Sequence, residues 1–230
     1  MSFVIPAPAM PAVPVAGGGL FPVRRIYCVG RNYAEHAQEM GFTGREPPFF
    51  FLKPADSVLP VADGATGEMA YPPLTANLHH EIELVVAIGT GGRNIAAADA
   101  ARHIWGYAVG LDMTRRDLQN DMKKQGRPWC IGKAFDESAP IGPLHAIAST
   151  GVLTSGAITL SVNGVVRQKG DLSELIWNVA ETIETLSKAW TLQPGDLIYT
   201  GTPAGVGAVV PGDVMEGAIA GLGTLKVRIG

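Results

Sequence analysis

Leu78-His79-His80-Glu81-Ile82-Glu83-Leu84-Val85-Val86-Ala87-Ile88 is the stretch on which the reading of this sequence turns. Ile82, Leu84, Val86 and Ile88 fall at every second position, the period of a strand that turns one face to a core. Glu81 and Glu83 then point to the same side, roughly 6.5 Å apart along the chain. On a helix of ~3.6 residues per turn they would diverge by about 200°. Two carboxylates side by side on a largely apolar strand repel each other and resist removal from water, so a cation is expected between them.

Downstream, Trp105–Leu111 reads as a second buried strand with Asp112 at its end. Thr114-Arg115-Arg116-Asp117 has capping-box form, predicting a helix from Arg115 to Gln125 closed by Gly126. Arg116, Gln119 and Lys123 share one face of it, and the first two lie nearest Asp112. Cys130-Ile131-Gly132-Lys133-Ala134-Phe135 alternates and predicts a strand with an inward Lys133. A buried lysine needs an anion or loses its proton. The Asn163-Gly164 pair between Ile158–Val162 and Val165–Gln168 predicts a type I′ hairpin. Leu175, Ile176, Val179, Ile183, Leu186 and Trp190 fit one face of a packed helix. Pro-Gly-Asp turns at Pro194 and Pro211 each lead into a strand. The glycines of Gly201-Thr202-Pro203-Ala204-Gly205-Val206-Gly207 fit either a tight turn or main-chain N–H groups brought close to an anion.

Upstream, Arg25–Gly30 reads as a strand. Asn32-Tyr33-Ala34-Glu35 has capping-box spacing, predicting a helix from Tyr33 to Met40 stopped by Gly41. His36 and Glu39 are three apart and share a face of it. A carboxylate beside an imidazole orients it and raises its basicity, as a general base requires; the same spacing also fits a solvated pair on a surface helix. Phe49–Leu52 predicts a buried strand ending at Lys53-Pro54, and Pro60–Asn77 predicts short hairpins.

With 230 residues, 47% hydrophobic and 17% charged, the chain is long and apolar enough to bury one large core. A net charge of −3 gives no general attraction to nucleic acid or anionic membrane. No apolar run is long enough to span a bilayer. Residues 1–23 read as an irregular leader or edge segment before one domain over 24–230. The leader lacks a basic residue before Arg24, unlike a secretory signal. Two cysteines, Cys28 and Cys130, make no disulfide framework; both are expected to be small buried apolar residues, and a reducing cytoplasm is the expected compartment. Frequent turn residues favour an α+β, predominantly β fold with a few short helices. There is no P-loop, nucleophile elbow or internal repeat.

Glu81, Glu83 and Asp112 together make an all-oxygen, three-carboxylate set from two strands, which selects Mg²⁺, Mn²⁺ or Ca²⁺ over Zn²⁺. His79, on the Glu81 side, is assigned to packing or support of that set. Lys133 and Arg116 suit an anionic substrate. A competing reading, a binding module built on structural Ca²⁺, leaves Lys133 and the His36–Glu39 pair without a role.

The strings Val29-Gly30-Arg31-Asn32-Tyr33, Phe51-Leu52-Lys53-Pro54, His79-His80-Glu81-Ile82-Glu83-Leu84, Leu111-Asp112-Met113-Thr114-Arg115-Arg116-Asp117, Gly132-Lys133 and Thr200-Gly201-Thr202-Pro203 resemble the fumarylacetoacetate hydrolase family in one order from about Arg24 to Gly230. Its short single-domain members, the fumarylpyruvate hydrolases and acylpyruvases, are the most similar. The resemblance implies a mixed β-sandwich roll, usually a homodimer, with Mg²⁺ or Mn²⁺ on Glu81, Glu83 and Asp112 and Ca²⁺ as a substitute. It places a His–Glu dyad on His36 and Glu39, in a lid that Gly41 to Gly44 would let move. The implied reaction is hydrolysis of a C–C bond in a small anionic 2,4-diketo acid, with Lys133 beside the pyruvate enolate. Arg31, Arg116, Gln119 and Thr202 are the expected substrate contacts. Oxaloacetate decarboxylation and 2-oxo acid isomerisation or hydration are alternative reactions at the same kind of site.

Overall fold

The computed structural model describes residues 3–33 and 45–230. The expected helix from Tyr33 to Met40, with His36 and Glu39, and the Gly41–Gly44 stretch therefore lie outside the described residues, Tyr33 excepted.

Ile82–Ile88 is the middle of an eight-stranded sheet. In spatial order its members are Phe49–Lys53, Arg25–Gly30, Asp196–Tyr199, Ile82–Ile88, Ile104–Leu111, Ala139–Ile141 and Val58–Pro60, with His145–Ala146 paired to the flank of Ile104–Leu111. Both faces of the central strand are covered, where alternation predicted one. Ile82, Leu84, Val86 and Ile88 enter the main core. Val85 and Ala87 enter a second core, with Val13 and Phe21 of the N-terminal ribbon Ala12–Pro14 and Leu20–Pro22. Each such residue, removed from water, contributes about 1.5–3 kcal/mol for a Leu, Ile or Val.

The main core is closed by a five-stranded sheet running Val165–Asp171, Ala157–Val162, Val214–Ile219, Gly223–Ile229 and Thr66–Met69. The two sheets approach so closely at Gly217 that a Cβ there would lie 2.4 Å from Cδ1 of Ile82. Val179–Ala189 is a packed helix, shorter than its apolar spacing predicted: Leu175 and Ile176 precede it and Trp190 follows its last turn, and it is buried through Val179, Ile183 and Leu186. Asn178 and Glu181 form a reciprocal capping box at its start. The hairpin at Asn163-Gly164 has positive φ at both residues, 52° and 77°, as type I′ requires.

The strand is broken at Glu81. Leu78–His80 leaves the large sheet and lies between Thr114–Arg115 and Gly207–Val209 in a separate three-stranded sheet. Glu81 and Asp112 are thus the corner residues where one sheet hands over to the other, and Asp112 N–H donates to the Glu81 carbonyl at 2.9 Å.

Several local expectations are corrected. Cys130–Lys133 is a four-residue helix, not a strand; it is too short for helical periodicity to register, and Ile131 is exposed. Cys130 is exposed, while Cys28 is buried as expected. Phe49–Lys53 is a sheet-edge strand with only Lys53 buried. Pro60–Asn77 forms no hairpins: Thr66–Met69 pairs in parallel with Gly223–Ile229. The helix Arg116–Lys124 has no capping box, because Thr114 Oγ1 donates to the Asp112 carbonyl and Asp117 accepts from Thr75 Oγ1 and the Ala76 and Leu118 N–H groups. The Asn32 amide accepts from the Trp177 N–H and donates to the Trp177 and Thr200 carbonyls.

Candidate metal centre and substrate cleft

Ile82 pairs with Leu111 and Glu83 with Gly110, so the ladder carries Glu81, Glu83 and Asp112 to one end of two antiparallel strands. One carboxylate oxygen from each lies within 4.8 Å of the others, and all three side chains are buried. Burial, followed by the negative charges of Asp112 and Glu81, pushes the Glu83 carboxyl well above the usual carboxylate value. Such a set holds its charge only with cations close by. The oxygen-only donors, and their separation, fit a hard divalent ion.

The protein supplies three cations of its own here. Lys133 Nζ donates to Glu81 Oε2 and Asp112 Oδ2, each at 2.7 Å. Burial alone would lower Lys133, but Asp112 and Glu81 outweigh it and hold the ammonium above its usual value. Arg116 donates to Glu81 Oε1 and, at 2.7 Å, to Gln119 Oε1. Lys53, fully buried, ion-pairs with Asp112 Oδ1 at 2.9 Å and donates to the carbonyls of Met113 and Lys133. Sequence reading singled out the Lys53 segment without giving this lysine a role. The available signal was a lysine closing an aromatic run, which marks it as inward but names no partner.

The short helix reaches the centre because residue 132 is glycine. A Cβ there would lie 2.8 Å from the Gln119 main-chain nitrogen, so the helices Cys130–Lys133 and Arg116–Lys124 touch backbone to side-chain-free backbone. That contact sets Lys133 and Gln119 on adjoining walls.

The expected substrate contacts Arg31, Arg116, Gln119 and Thr202 all line one cleft with Glu81, Glu83, Asp112 and Lys133, and it is partly open to solvent. Arg31 has a positive φ of 58° and sets its guanidinium over the Phe49 ring, 5.2 Å from its centre. Phe49, Phe51 and Trp129 form an aromatic side to the cleft, with Trp129 edge-on to Phe49 at 5.3 Å. That wall was not foreseen, since its parts come from segments far apart in sequence.

The Gly201–Gly207 turn does bring a main-chain N–H to an anion, but the anion is the protein's own: Gly201 N–H donates to Glu83 Oε2 at 2.8 Å. His79 is not one of the clustered ligands. Its Nε2 bonds Asn77 Oδ1 at 2.9 Å, and burial, with Arg116 next, lowers its pKa to about 4. It is a neutral supporting ring. His36 and Glu39 fall outside the described residues.

Residues 25–230 match the family model of the fumarylacetoacetate hydrolase C-terminal domain. The chain is 47% identical over 188 residues to a fumarylpyruvate hydrolase of Ralstonia sp, covering 80% of this chain and 94% of that one. It is 41% identical over 209 residues to a mitochondrial oxaloacetate tautomerase of Rattus norvegicus, covering 90% and 91%. The solved structure of fumarylpyruvate hydrolase from Pseudomonas aeruginosa, in complex with Mn²⁺ and pyruvate, superposes with a TM-score of 0.97 at 58% identity over 99% of both chains. With its sheet-dominated fold and buried acidic triad for a divalent metal, this chain is an enzyme of the fumarylacetoacetate hydrolase family.

Proposed function

We propose that this chain hydrolyses the C3–C4 bond of a 2,4-diketo acid, with fumarylpyruvate as the substrate and fumarate and pyruvate as products. The observation that carries the reading is a cleft in which three buried carboxylates are matched by Lys53, Lys133 and Arg116. A divalent ion adds two positive charges to this balanced set, and a dianionic substrate cancels them. Glu81, Glu83 and Asp112 would hold Mg²⁺ or Mn²⁺, which when bound supplies Lewis acidity to the substrate's 2-oxo and carboxylate oxygens.

Around that centre, Arg116, Gln119 and Thr202 hold the 1-carboxylate and 2-oxo end. His36, oriented by Glu39, takes a proton from the water that attacks C4. The C3–C4 electron pair passes into the pyruvate enolate, the Lys133 ammonium faces the oxygen on which that charge develops, and the proton held by His36 is delivered to C3 to give pyruvate. Arg31, beside Phe49 at the mouth of the cleft, receives the distal carboxylate. The apolar aromatic side of Phe49, Phe51 and Trp129 fits a conjugated fumaryl arm better than the short oxaloacetate chain. A homodimer is the proposed assembly.

Oxaloacetate tautomerisation is the second reading, favoured by the likeness to the rat enzyme. Both substrates are dianions, so charge does not separate them; the activated water does. A panel of fumarylpyruvate, an acylpyruvate without the distal carboxylate, and oxaloacetate, assayed with Mn²⁺ and with chelator, tests the choice. Metal-dependent release of fumarate and pyruvate, faster than any change in oxaloacetate, is expected. Turnover of oxaloacetate alone would replace the first reading with the second.

A further inference from the structure

Gln168 is completely buried on a strand whose neighbours Val165, Val166, Arg167 and Lys169 are all exposed. The cause is a bulge: Leu160 pairs with Gln168, but Ser161 pairs with Val166, so Arg167 is the extra residue and the following side chain turns inward. The loop after Thr202 is fitted to this bulge. Gly205, at φ +91°, comes so near that a Cβ would lie 2.1 Å from the Arg167 carbonyl oxygen.

Hydrogen-bond valence fixes how the Gln168 amide is turned. The Ile82 N–H can only donate, and it meets Oε1 at 3.1 Å; the Pro203 carbonyl can only accept, and it meets Nε2 at 2.9 Å. His80 Nδ1, 2.8 Å from the same Oε1, is therefore the protonated ring nitrogen. The second proton on Nε2 goes to Thr202 Oγ1 at 2.8 Å. Thr202 Oγ1 is thus an acceptor on its buried side, and its own proton has no acceptor among the described residues. Thr202 lines the cleft that holds Glu81, Glu83 and Asp112, and the preceding residue is tied to Glu83.

We propose that Gln168 is a positioning residue: by donating to Thr202 Oγ1 it commits the Thr202 hydroxyl to act as a donor into the cleft, where it selects an anionic oxygen of the ligand over a group that itself donates. The His80 and Ile82 N–H groups hold the amide in that orientation from behind. This rests on the proposed reading of the cleft as a 2-oxo acid site, and deepens it by assigning the polarity of one contact.

The test uses the Mn²⁺-loaded protein and oxalate, a planar dianion resembling the enolate of a 2-oxo acid, with affinity read by calorimetry. Thr202→Val removes the donor. Gln168→Glu cannot donate to Thr202, so the hydroxyl turns to the new carboxylate and away from the ligand. Gln168→Met removes the amide at similar length without adding charge. A hydrogen bond to a charged group corresponds to roughly tenfold or more in affinity, so each single variant is expected to bind oxalate at least about tenfold more weakly. Either Gln168 variant combined with Thr202→Val is expected to be no weaker than Thr202→Val alone, and Mn²⁺ affinity is expected to stay within about twofold, because Gln168 touches none of the three carboxylates. Additive losses, or a parallel loss of Mn²⁺ binding, would mean that Gln168 only braces the fold and would overturn the proposal. Failure of the unaltered protein to bind oxalate with Mn²⁺ would overturn both the proposal and the reading of the cleft beneath it.

Discussion

Replacing Lys53 by methionine tests how the charges of the centre are balanced. The ammonium is fully buried, ion-paired with Asp112 Oδ1 at 2.9 Å and bonded to the carbonyls of Met113 and Lys133. Methionine keeps most of the volume, so the loss is electrostatic. Breaking one side of a buried ion pair costs about 3–5 kcal/mol; Asp112 keeps Lys133 on Oδ2, so the loss here falls on Asp112 Oδ1 and the two carbonyls together. For Lys53→Met we expect about 4 kcal/mol in chelator, which for a chain of this size lowers Tm by roughly 8–16 °C. About half of that arises at Asp112, whose Oδ1 loses the Lys53 charge, and the rest at the two carbonyls, which each lose a hydrogen bond from a charged group. A divalent ion on the three carboxylates restores a cation to Asp112 but does nothing for the two carbonyls. Saturating Mn²⁺ should therefore shrink the deficit to about 2 kcal/mol. Denaturant unfolding of both proteins, with chelator and with Mn²⁺, measures this. A deficit below about 1 kcal/mol in chelator, or the same deficit in both conditions, would refute the reasoning.

Three further outcomes follow from the geometry. Burial, with Asp112 and Glu81 next, raises the Glu83 carboxyl well above the usual carboxylate value. A raised acid stabilises the fold fully below that value and loses the contribution as pH climbs through its elevated folded value. Because metal binding displaces the proton, the Mn²⁺-induced rise in Tm should grow as pH rises above the usual carboxylate value, and a flat difference by thermal melting would contradict this. Gly132→Ala puts a Cβ 2.8 Å from the Gln119 nitrogen; overpacking of about 1–3 kcal/mol and a displaced Lys133 should cut turnover at least about tenfold, and unchanged kinetics would count against the helix contact. Asp196, wholly buried, holds Arg25 through Nη2 at 2.9 Å and accepts the Gln193 N–H at 2.8 Å. Asp196→Ala should cost about 3 kcal/mol in denaturant unfolding while leaving Mn²⁺ affinity unchanged, since it lies outside the cleft.

The parts legible in the sequence were those whose signal is local and repeated. Ile82 to Ile88 alternates over a whole strand, so its two faces could be sorted before any neighbour was known; only the burial of both escaped, because the N-terminal ribbon over Val85 and Ala87 is distant in sequence. Asn163-Gly164 carries its turn type in its own backbone preferences. Asp112 was legible as an acid at the end of an apolar run. Lys133 was identified in the wrong element, because six residues alternate equally well in a short helix packed through Gly132. The capping string at Thr114 misled because its hydroxyl is bonded to the Asp112 carbonyl. The roles of Lys53, Gln168 and the Phe49–Trp129 wall were not legible. Their roles exist only once Asp112, Thr202 and the short helix have been brought beside them.

The central claim is that Glu81, Glu83 and Asp112 hold one divalent ion on which the chemistry depends. A Mn²⁺ titration of the unaltered protein beside Asp112→Asn, with fumarylpyruvate cleavage followed in the same samples, tests it most directly. The account predicts one tightly bound ion per chain and metal-dependent release of fumarate and pyruvate, with both lost together in Asp112→Asn. Full Mn²⁺ binding in Asp112→Asn, or cleavage by the unaltered protein at undiminished rate in chelator, would contradict it.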